Sequence, residues 1–175
     1  MNYFKLFDFP VSFNIDLTEL SLRYQTLQKA VHPDKFAHLS DQEQRVAVQK
    51  SADINDAYQT LKNPLQRAEY LLIQRGVDMP NEQHTFGDTS FLMRQMELRE
   101  MLAEVKFSDD IDSALNAAQT ELDDEYLALF NLLQAQINEN SDASNTLACD
   151  NLRKLKFYQK LNIELERLED SLFDD

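Results

Sequence analysis

The chain has little of the residues that interrupt helices or cross-link a fold. Its 175 residues include two glycines, four prolines, one cysteine and no tryptophan. The single cysteine, Cys149, excludes an internal disulfide and any metal or cluster site built from several cysteines. Few segments alternate β-branched with polar residues, and Leu, Glu, Gln, Asp and Ala dominate instead. This composition predicts an all-α fold.

Long apolar runs are also missing. No segment approaches the roughly 20 apolar residues that a membrane-spanning helix needs. At the N-terminus, no basic region precedes an apolar segment, so no cleaved targeting peptide is evident. We therefore expect a cytoplasmic protein that does not act at a membrane.

Positive charge is scarce in the second part of the chain. Residues 1–75 contain nine basic and nine acidic residues, whereas residues 76–175 contain eight and twenty-two, so the whole net charge of −14 arises there. Nucleic-acid binding needs a basic surface and is not expected. The acidic part could simply be a solvated surface that keeps the chain soluble. The change in charge also favours a domain boundary near residue 76.

The motif His32-Pro33-Asp34-Lys35 stands between two helical patterns of matching period. Residues recur at spacings of three and four on both sides of it: Leu17, Leu20, Tyr24, Leu27 and Val31 before, and Ala47, Ser51, Ile54, Tyr58 and Leu61 after. Two such helices joined by a short connection form an antiparallel hairpin. Pro33 disfavours the helical conformation at the residue before it, so the first helix must stop there. We therefore predict that the motif lies exposed at the hairpin tip.

Polar residues mark the ends of this hairpin. Asp16 with Glu19 predicts the start of the first long helix, and Ser40 or Asp41 can cap the second. The second helix should end at Lys62-Asn63-Pro64 because of its proline.

Two short apolar helices flank the hairpin in the sequence. The segment at residues 3–9, with three phenylalanines, predicts a short helix that is buried. The segment after Pro64 predicts another, and Gly76 is well placed as the residue that terminates it.

The remainder of the chain predicts a helical bundle. Residues 76–88 contain Pro80, Asn81 and Gly87, and we interpret them as a linker. Three helical patterns follow, over about residues 89–106, 109–138 and 143–172, with seams typical of helices that pack against partner helices. The predicted organisation is an N-terminal domain at 1–75, a linker at 76–88 and an antiparallel three-helix bundle at 89–175.

Several motifs together resemble a known family. The apolar opening Tyr3-Phe4, the motif at the hairpin tip, and residues 54–61 (INDAYQTL) and 63–70 (NPLQRAEY) resemble a J-domain. The tripeptide His-Pro-Asp alone would be weak support, since short motifs arise by chance. Residues 68–72 (AEYLL), 91–93 (FLM), 96–100 (MELRE) and 152–157 (LRKLKF) extend the resemblance along the chain to the HscB family, the J-type co-chaperones of iron–sulfur cluster assembly.

This resemblance implies an adaptor without catalytic activity and without a metal or cofactor of its own. In that family the J-domain binds the ATP state of a DnaK-type chaperone, HscA, and stimulates its ATPase, while the C-terminal bundle binds the cluster scaffold IscU. Asp34 is expected to pair with an arginine of the chaperone. The chaperone-binding residues expected here are His32, Pro33, Asp34, Lys35, Arg23 and Lys29. The small number of basic residues on the first long helix fits a dedicated chaperone.

The helix near residue 89 suggests where a scaffold would bind. At about 100° per residue, Phe91, Leu98, Leu102 and Val105 fall on one side and predict its core face. Leu92, Met93 and Met96 fall on the opposite side, where they either pack against the J-domain or form a binding patch. The resemblance implies the second reading, with scaffold contacts at Leu92, Met93, Met96, Glu97, Glu100, Glu104 and Phe157.

Other functions have weaker support. His32 and Asp34 could act as a general base and its orienting acid, but an exposed loop supplies no nucleophile and no oxyanion donors. His38, His84 and Cys149 lack partners at metal-ligand spacing. The acidic groups at residues 109–112 and 123–125 lack the glycine turn of a calcium loop. The alternatives are a J-protein that serves another client and, in a different class, a helical hydrolase. We expect a monomer.

Overall fold

The computed structural model describes residues 2–79 and 88–173 of the chain. Regular structure in these residues is helical throughout, which confirms the all-α fold class. The chain divides into two compact units, Met1–Val77 and Asp78–Asp175. The division into 1–75, 76–88 and 89–175 stays a prediction, because Pro80, Asn81 and Gly87 of the proposed linker, and also His84, lie outside the described residues.

Within residues 2–77, the first unit has four α-helices packed around buried apolar side chains. They are α1 (Tyr3–Leu6), α2 (Leu17–Val31), α3 (Asp41–Lys62) and α4 (Pro64–Gln74), with a 3-10 turn at Pro33–Phe36 between α2 and α3. Helices α2 and α3 form the predicted hairpin, and α1 and α4 pack against α3. The largest fully buried side chains of this unit are Phe4, Phe7, Phe13, Leu20, Leu61, Leu65, Leu71 and Leu72.

The helix ends of the hairpin agree with the sequence prediction. The Asp16 carboxylate accepts hydrogen bonds from the backbone N–H groups of Thr18 and Glu19. Ser40 and Glu43 form a reciprocal capping box at the start of α3. Each cap pairs backbone donors that the first turn of a helix leaves unsatisfied. Both predicted starts are therefore confirmed.

Two predictions about burial in this unit were partly wrong. Leu17 is 46% exposed because it is the first residue of α2, so the buried stripe begins at Leu20. In the opening segment only Phe4 and Phe7 are buried. Helix α1 ends at Leu6, and the chain then turns through Asp8 at a φ of 57°, which leaves Phe9 half-buried.

Helix α4 is fixed to the unit at both ends. The buried Arg67 donates to the Leu61 carbonyl oxygen at 2.7 Å and its guanidinium lies 5.0 Å from the Phe13 ring centroid. Burial lowers the pKa of Arg67. At the other end Gly76, at a φ of +79°, donates to Ile73 while Val77 donates to Leu72. This pair of bonds is a Schellman motif, so the predicted terminating role of Gly76 is confirmed.

The described residues of the second unit form three α-helices. Helix α5 (Thr89–Glu104) is followed by a 3-10 turn at Val105–Phe107, and helices α6 (Ile111–Glu139) and α7 (Asp142–Phe173) are about twice as long. Residue Asn140 makes the tight α6–α7 connection in the left-handed conformation, at a φ of 52°. One core cluster joins all three helices and includes Phe91, Leu98, Leu102, Leu115, Leu122, Tyr158, Leu161 and Leu165. The expected helical bundle is confirmed.

Replacing Gly76 by alanine tests the turn that ends α4. An added Cβ would meet nothing within 4 Å, so the cost is the strain of a side-chain-bearing residue at positive φ. We expect Gly76→Ala to lower the free energy of unfolding by about 1 kcal/mol, measured by urea denaturation followed by circular dichroism. The control Gln74→Ala, in the last helical position, should change it by less than about 0.5 kcal/mol. Equal stability of both variants would contradict the turn assignment.

Candidate functional site

The tip of the α2–α3 hairpin is a preformed turn. Residue His32 ends α2 with extended backbone, at a φ of −56° and a ψ of 131°, and Pro33 begins the 3-10 turn. The backbone N–H of Asp34 donates to Nδ1 of His32 at 3.3 Å, and Lys35 donates to the carbonyl oxygen of His32 at 3.0 Å. The histidine therefore acts as the cap of the turn that carries Asp34.

The carboxylate of Asp34 projects into solvent. Its side chain is 92% exposed, and Nδ1 of His32 lies 3.6 Å from its Oδ2. Neither a lysine nor an arginine of the described residues forms an ion pair with it. An exposed carboxylate on a fixed turn can accept charge-assisted hydrogen bonds from a partner, whereas it lacks the walls that a catalytic site needs.

The basic residues predicted to bind the chaperone are not all at the tip. Lys29 and Lys35 are exposed near it. Arg23 instead donates from Nη1 to the carbonyl oxygens of Phe7 and Asp8, at 2.9 and 2.8 Å. It also pairs with Glu19 at 3.3 Å. The structure brings together His32, Pro33, Asp34 and Lys35, with Lys29 one turn before them. Arg23 lies apart from them and binds the loop that follows α1.

Helix α5 exposes the predicted apolar patch. Met93 is 59% and Met96 73% exposed, and Leu92 beside them is half-buried. Three carboxylates, those of Glu97, Glu100 and Glu104, are exposed on the same side of the helix. The opposite side of α5 is buried in the core, as its sequence period predicts. We call Leu92, Met93, Met96 and the three glutamates the α5 patch.

Phe157 of α7 lies at the border of the α5 patch. Its half-buried ring meets the buried Phe91 ring edge-on, with centroids 5.7 Å apart at 84°. The guanidinium of Arg99 lies 5.5 Å from the centroid of the Phe157 ring and pairs with both carboxylate oxygens of Glu164, at 3.0 and 3.1 Å. The aromatic ring is thus held against α5, where it can extend the patch.

The start of α5 is fixed to α7. Asp88 caps the helix by accepting from the N–H of Phe91 at 3.2 Å. It also accepts from Nζ of Lys154 at 3.1 Å. The hydrogen bond from Lys154 and the one from Phe91 hold the pKa of the Asp88 carboxyl below its usual value. The register of α5 against α7, and with it the position of the patch, depends on these contacts.

A charged network at the edge of the α5 patch was not predicted from the sequence. Arg94 donates to Glu97 at 2.9 Å, to Glu125 at 2.9 Å and to Glu121. The Tyr158 hydroxyl donates to Glu125 at 2.9 Å. Burial alone would lower the pKa of Arg94, but its hydrogen bonds to the three carboxylates outweigh burial and raise it.

Only some of the contacts in this network could have been predicted from the sequence. Arg94 and Glu97 stand three residues apart, as a pair on one helix does. Glu121 and Glu125, four residues apart, mark a strip of like charge on α6 that needs a cation from another helix. Which cation supplies it depends on the register of α5 against α6, and a single sequence does not give that register.

Comparison with known proteins assigns the family. A protein of Colwellia psychrerythraea described as "Co-chaperone protein HscB homolog" is 72% identical over 175 residues, which cover all of both chains. The chain belongs to the HscB co-chaperone family. An HscB homologue from Shewanella oneidensis is 48% identical and covers 99% of this chain and 100% of its own. The family model "HSCB C-terminal oligomerisation domain" matches residues 87–166.

Solved HscB structures share the fold. Chaperone HscB from Vibrio cholerae matches with a TM-score of 0.89 at 45% identity, over 99% of this chain and 100% of that chain. The human co-chaperone HscB matches with a TM-score of 0.87 at 28% identity, over 97% and 82%. The first is described as a chaperone and the second as a co-chaperone.

The described part of the chain has neither a metal-binding cluster nor a helix that could span a membrane. Within residues 2–79 and 88–173, no group of three His, Cys, Asp or Glu side chains is arranged to hold a metal ion. In the same residues, none of the helices is both long and apolar enough to cross a membrane.

Removing the Arg94 guanidinium tests whether the network supports α5. In Arg94→Met the side-chain stem remains, but Glu121 and Glu125 lose their shared cation. We expect a loss of about 1–2 kcal/mol in the free energy of unfolding, measured by urea denaturation. Added salt should reduce the loss, because it screens the repulsion between the carboxylates.

The control is Arg167→Met, at an exposed position of α7. It should change stability by less than about 0.5 kcal/mol. If both variants are equally stable at low salt, the network does not hold α5.

Proposed function

We propose that the chain is an adaptor with two binding arms. The first unit stimulates ATP hydrolysis by a DnaK-type chaperone of the HscA kind. The second unit binds an iron–sulfur scaffold of the IscU kind and delivers it to that chaperone. The observation that carries the proposal is the Asp34 carboxylate, 92% exposed on a turn that His32 caps. A hairpin that only packed would have no need of such an exposed, oriented charge.

The hairpin tip suits a short, strong contact with a cation. The turn is held by its own hydrogen bonds, so little conformational entropy remains to be lost when Asp34 binds. A carboxylate matches an arginine guanidinium through two parallel hydrogen bonds. We therefore assign chaperone contact to His32, Pro33, Asp34 and Lys35, with Lys29 at the edge. Arg23, which holds the loop after α1, contributes indirectly by supporting α2.

The α5 patch suits a protein partner with a basic rim. Methionine side chains are flexible and adapt to an apolar surface. Glu97, Glu100 and Glu104 surround them with negative charge, which complements positive charge on a scaffold. Phe157 adds an aromatic ring, the type of residue that often anchors an interface. Together these residues form the scaffold-binding surface that we propose.

The two arms act together through effective concentration. A scaffold bound to the second unit is tethered close to the chaperone that binds the first unit. Each partner then favours binding of the other through a coupling free energy that is the same in both directions. This role requires no catalytic group, metal or cofactor in the chain. The monomeric state and the cytoplasmic location stay predictions. The family model that matches residues 87–166 is described as an oligomerisation domain, which is at variance with the monomer that we expect.

Replacing Asp34 by asparagine tests the chaperone arm. The amide keeps the shape of the side chain but loses the charge that an arginine would pair with. We expect Asp34→Asn to abolish stimulation of the chaperone ATPase and to leave scaffold affinity unchanged, in steady-state hydrolysis and calorimetric binding assays. Asp109→Asn, an exposed carboxylate of the second unit, is the control and should stimulate normally. Normal stimulation by Asp34→Asn would remove the chaperone-binding assignment.

Truncating the two exposed methionines tests the scaffold arm. In the proposed interface both side chains contact the scaffold. The double variant Met93→Ala, Met96→Ala should therefore weaken scaffold binding by about 2 kcal/mol or more, which is typical of the loss of interface anchors. Its melting temperature should not fall, since both side chains are exposed. The matched control is Leu127→Ala, Ile163→Ala, two exposed aliphatic residues of α6 and α7. Equal affinities of the two double variants would contradict the assignment.

A further inference from the structure

A shallow groove lies between the end of α5 and the start of α6. Met101 and Glu104 line one wall of it, and Ala114 and Ala117 line the other. Phe107, from the 3-10 turn that follows α5, also lines it. Apart from Glu104 these side chains are apolar, and the short alanine side chains leave room for a side chain of a partner. We call this surface the α5–α6 groove.

Phe107 presents an aromatic ring to solvent at the α5–α6 groove. It is 78% exposed, which is more than either methionine of the α5 patch. The ammonium of Lys106 lies 5.1 Å from the centroid of the Phe107 ring. This cation–π contact restrains the ring without covering it, so less side-chain freedom remains to be lost on binding. Aromatic rings are frequent anchors of protein interfaces, and this one is free to meet a partner.

The α5–α6 groove is continuous with the α5 patch. Glu104 lines the groove and is also one of the three glutamates of the patch. Glu97, Met101 and Glu104 follow one another along α5 at spacings of four and three, so they form one strip on the surface of the helix. A partner that covers the patch therefore reaches the groove along this strip.

The segment around the groove carries mainly negative charge. From Glu104 to Asp112 it has four acidic residues and one basic residue, Lys106. Asp109, Asp110 and Asp112 are exposed. A second copy of this chain would bring the same negative charges to the groove, and like charges repel. A scaffold with a basic rim brings the complementary charge, which makes the scaffold the favoured occupant.

We propose that the α5–α6 groove is a second contact for the iron–sulfur scaffold, separate from the α5 patch. An apolar side chain of the scaffold enters between Met101 and Ala117 and packs on the Phe107 ring, while a neighbouring basic group pairs with Glu104. This inference rests on the proposed function. It extends the scaffold-binding surface onto α6 and the turn before it, where none of the contacts implied by the family resemblance lies.

The first test removes the exposed ring from the full-length chain. In calorimetric titration with a purified IscU-type scaffold, Phe107→Ala should raise the Kd by about tenfold, the loss expected from an interface anchor. Its melting temperature should match that of the wild type, since the ring is exposed. The matched control is Phe173→Ala, another exposed phenylalanine at the end of α7, which should bind normally. Equal affinities of the two variants would overturn the proposal.

The second test fills the groove instead of removing its anchor. Ala117→Gln places a longer, uncharged side chain in the groove and should also raise the Kd for the scaffold by about tenfold. The control Ala135→Gln makes the same change at an exposed position of α6, about five helical turns further along. Both changes have the same small cost in helix propensity, so any difference in affinity comes from the groove. Wild-type affinity of Ala117→Gln would contradict the proposed contact.

The outcomes separate this inference from the proposed function. If Met93→Ala, Met96→Ala weakens scaffold binding but Phe107→Ala and Ala117→Gln do not, the groove assignment fails and the scaffold arm stands. If the wild type does not bind the scaffold, both fail. Without scaffold, Phe107→Ala should stimulate the chaperone ATPase as the wild type does, and a loss of this stimulation would contradict a contact reserved for the scaffold.

Sedimentation velocity tests the other occupant of the groove, a second copy of the chain. We expect the wild type and Phe107→Ala to sediment alike. If the wild type self-associates, Phe107→Ala does not, and both bind the scaffold equally, the groove is an interface between copies and the proposal is overturned.

Discussion

The proline at position 33 is the constraint on which the first unit depends. It ends α2 at His32, forces extended backbone there, and begins the turn that carries Asp34. The His32 ring then caps that turn by accepting a hydrogen bond from the Asp34 N–H. A single residue therefore converts the connection of a helical hairpin into a rigid platform. This geometry supports the binding role that we propose for the tip, because the carboxylate is exposed on a turn held by its own hydrogen bonds.

The second unit exposes apolar side chains on a helix whose opposite side is buried in the core. One side of α5 fills the core through Phe91, Leu98 and Leu102. Its other side leaves Met93 and Met96 in solvent. Contacts beside the patch hold the helix in place: the Asp88–Lys154 pair at its start and the Arg94 network toward α6. Flexible methionine side chains on a helix held by these contacts suit the adaptable binding surface that we propose.

Local signals in the sequence predicted much of this structure, and tertiary contacts decided the rest. Asp16, Ser40 and Gly76 mark helix ends through their own backbone chemistry, so their roles could be derived without the fold. The place of Met93 and Met96 opposite the core face of α5 followed from its period. The tasks of Arg23 and Arg94 could not be derived, because each depends on carbonyl or carboxylate oxygens that the fold brings from another segment. Leu17 was wrongly assigned to the buried stripe. It matches the apolar period of α2, but the period does not show that it is the first residue of the helix.

The most direct test of the adaptor is the steady-state ATPase rate of an HscA-type chaperone in four mixtures: alone, with this protein, with an IscU-type scaffold, and with both. Linkage between the two arms predicts stimulation by the protein alone and a further, synergistic increase when the scaffold is added, well beyond the sum of the separate effects. If the rate with both partners equals that sum, the two arms are not coupled. If the protein gives no stimulation with or without scaffold, the account of the chain as an adaptor is contradicted.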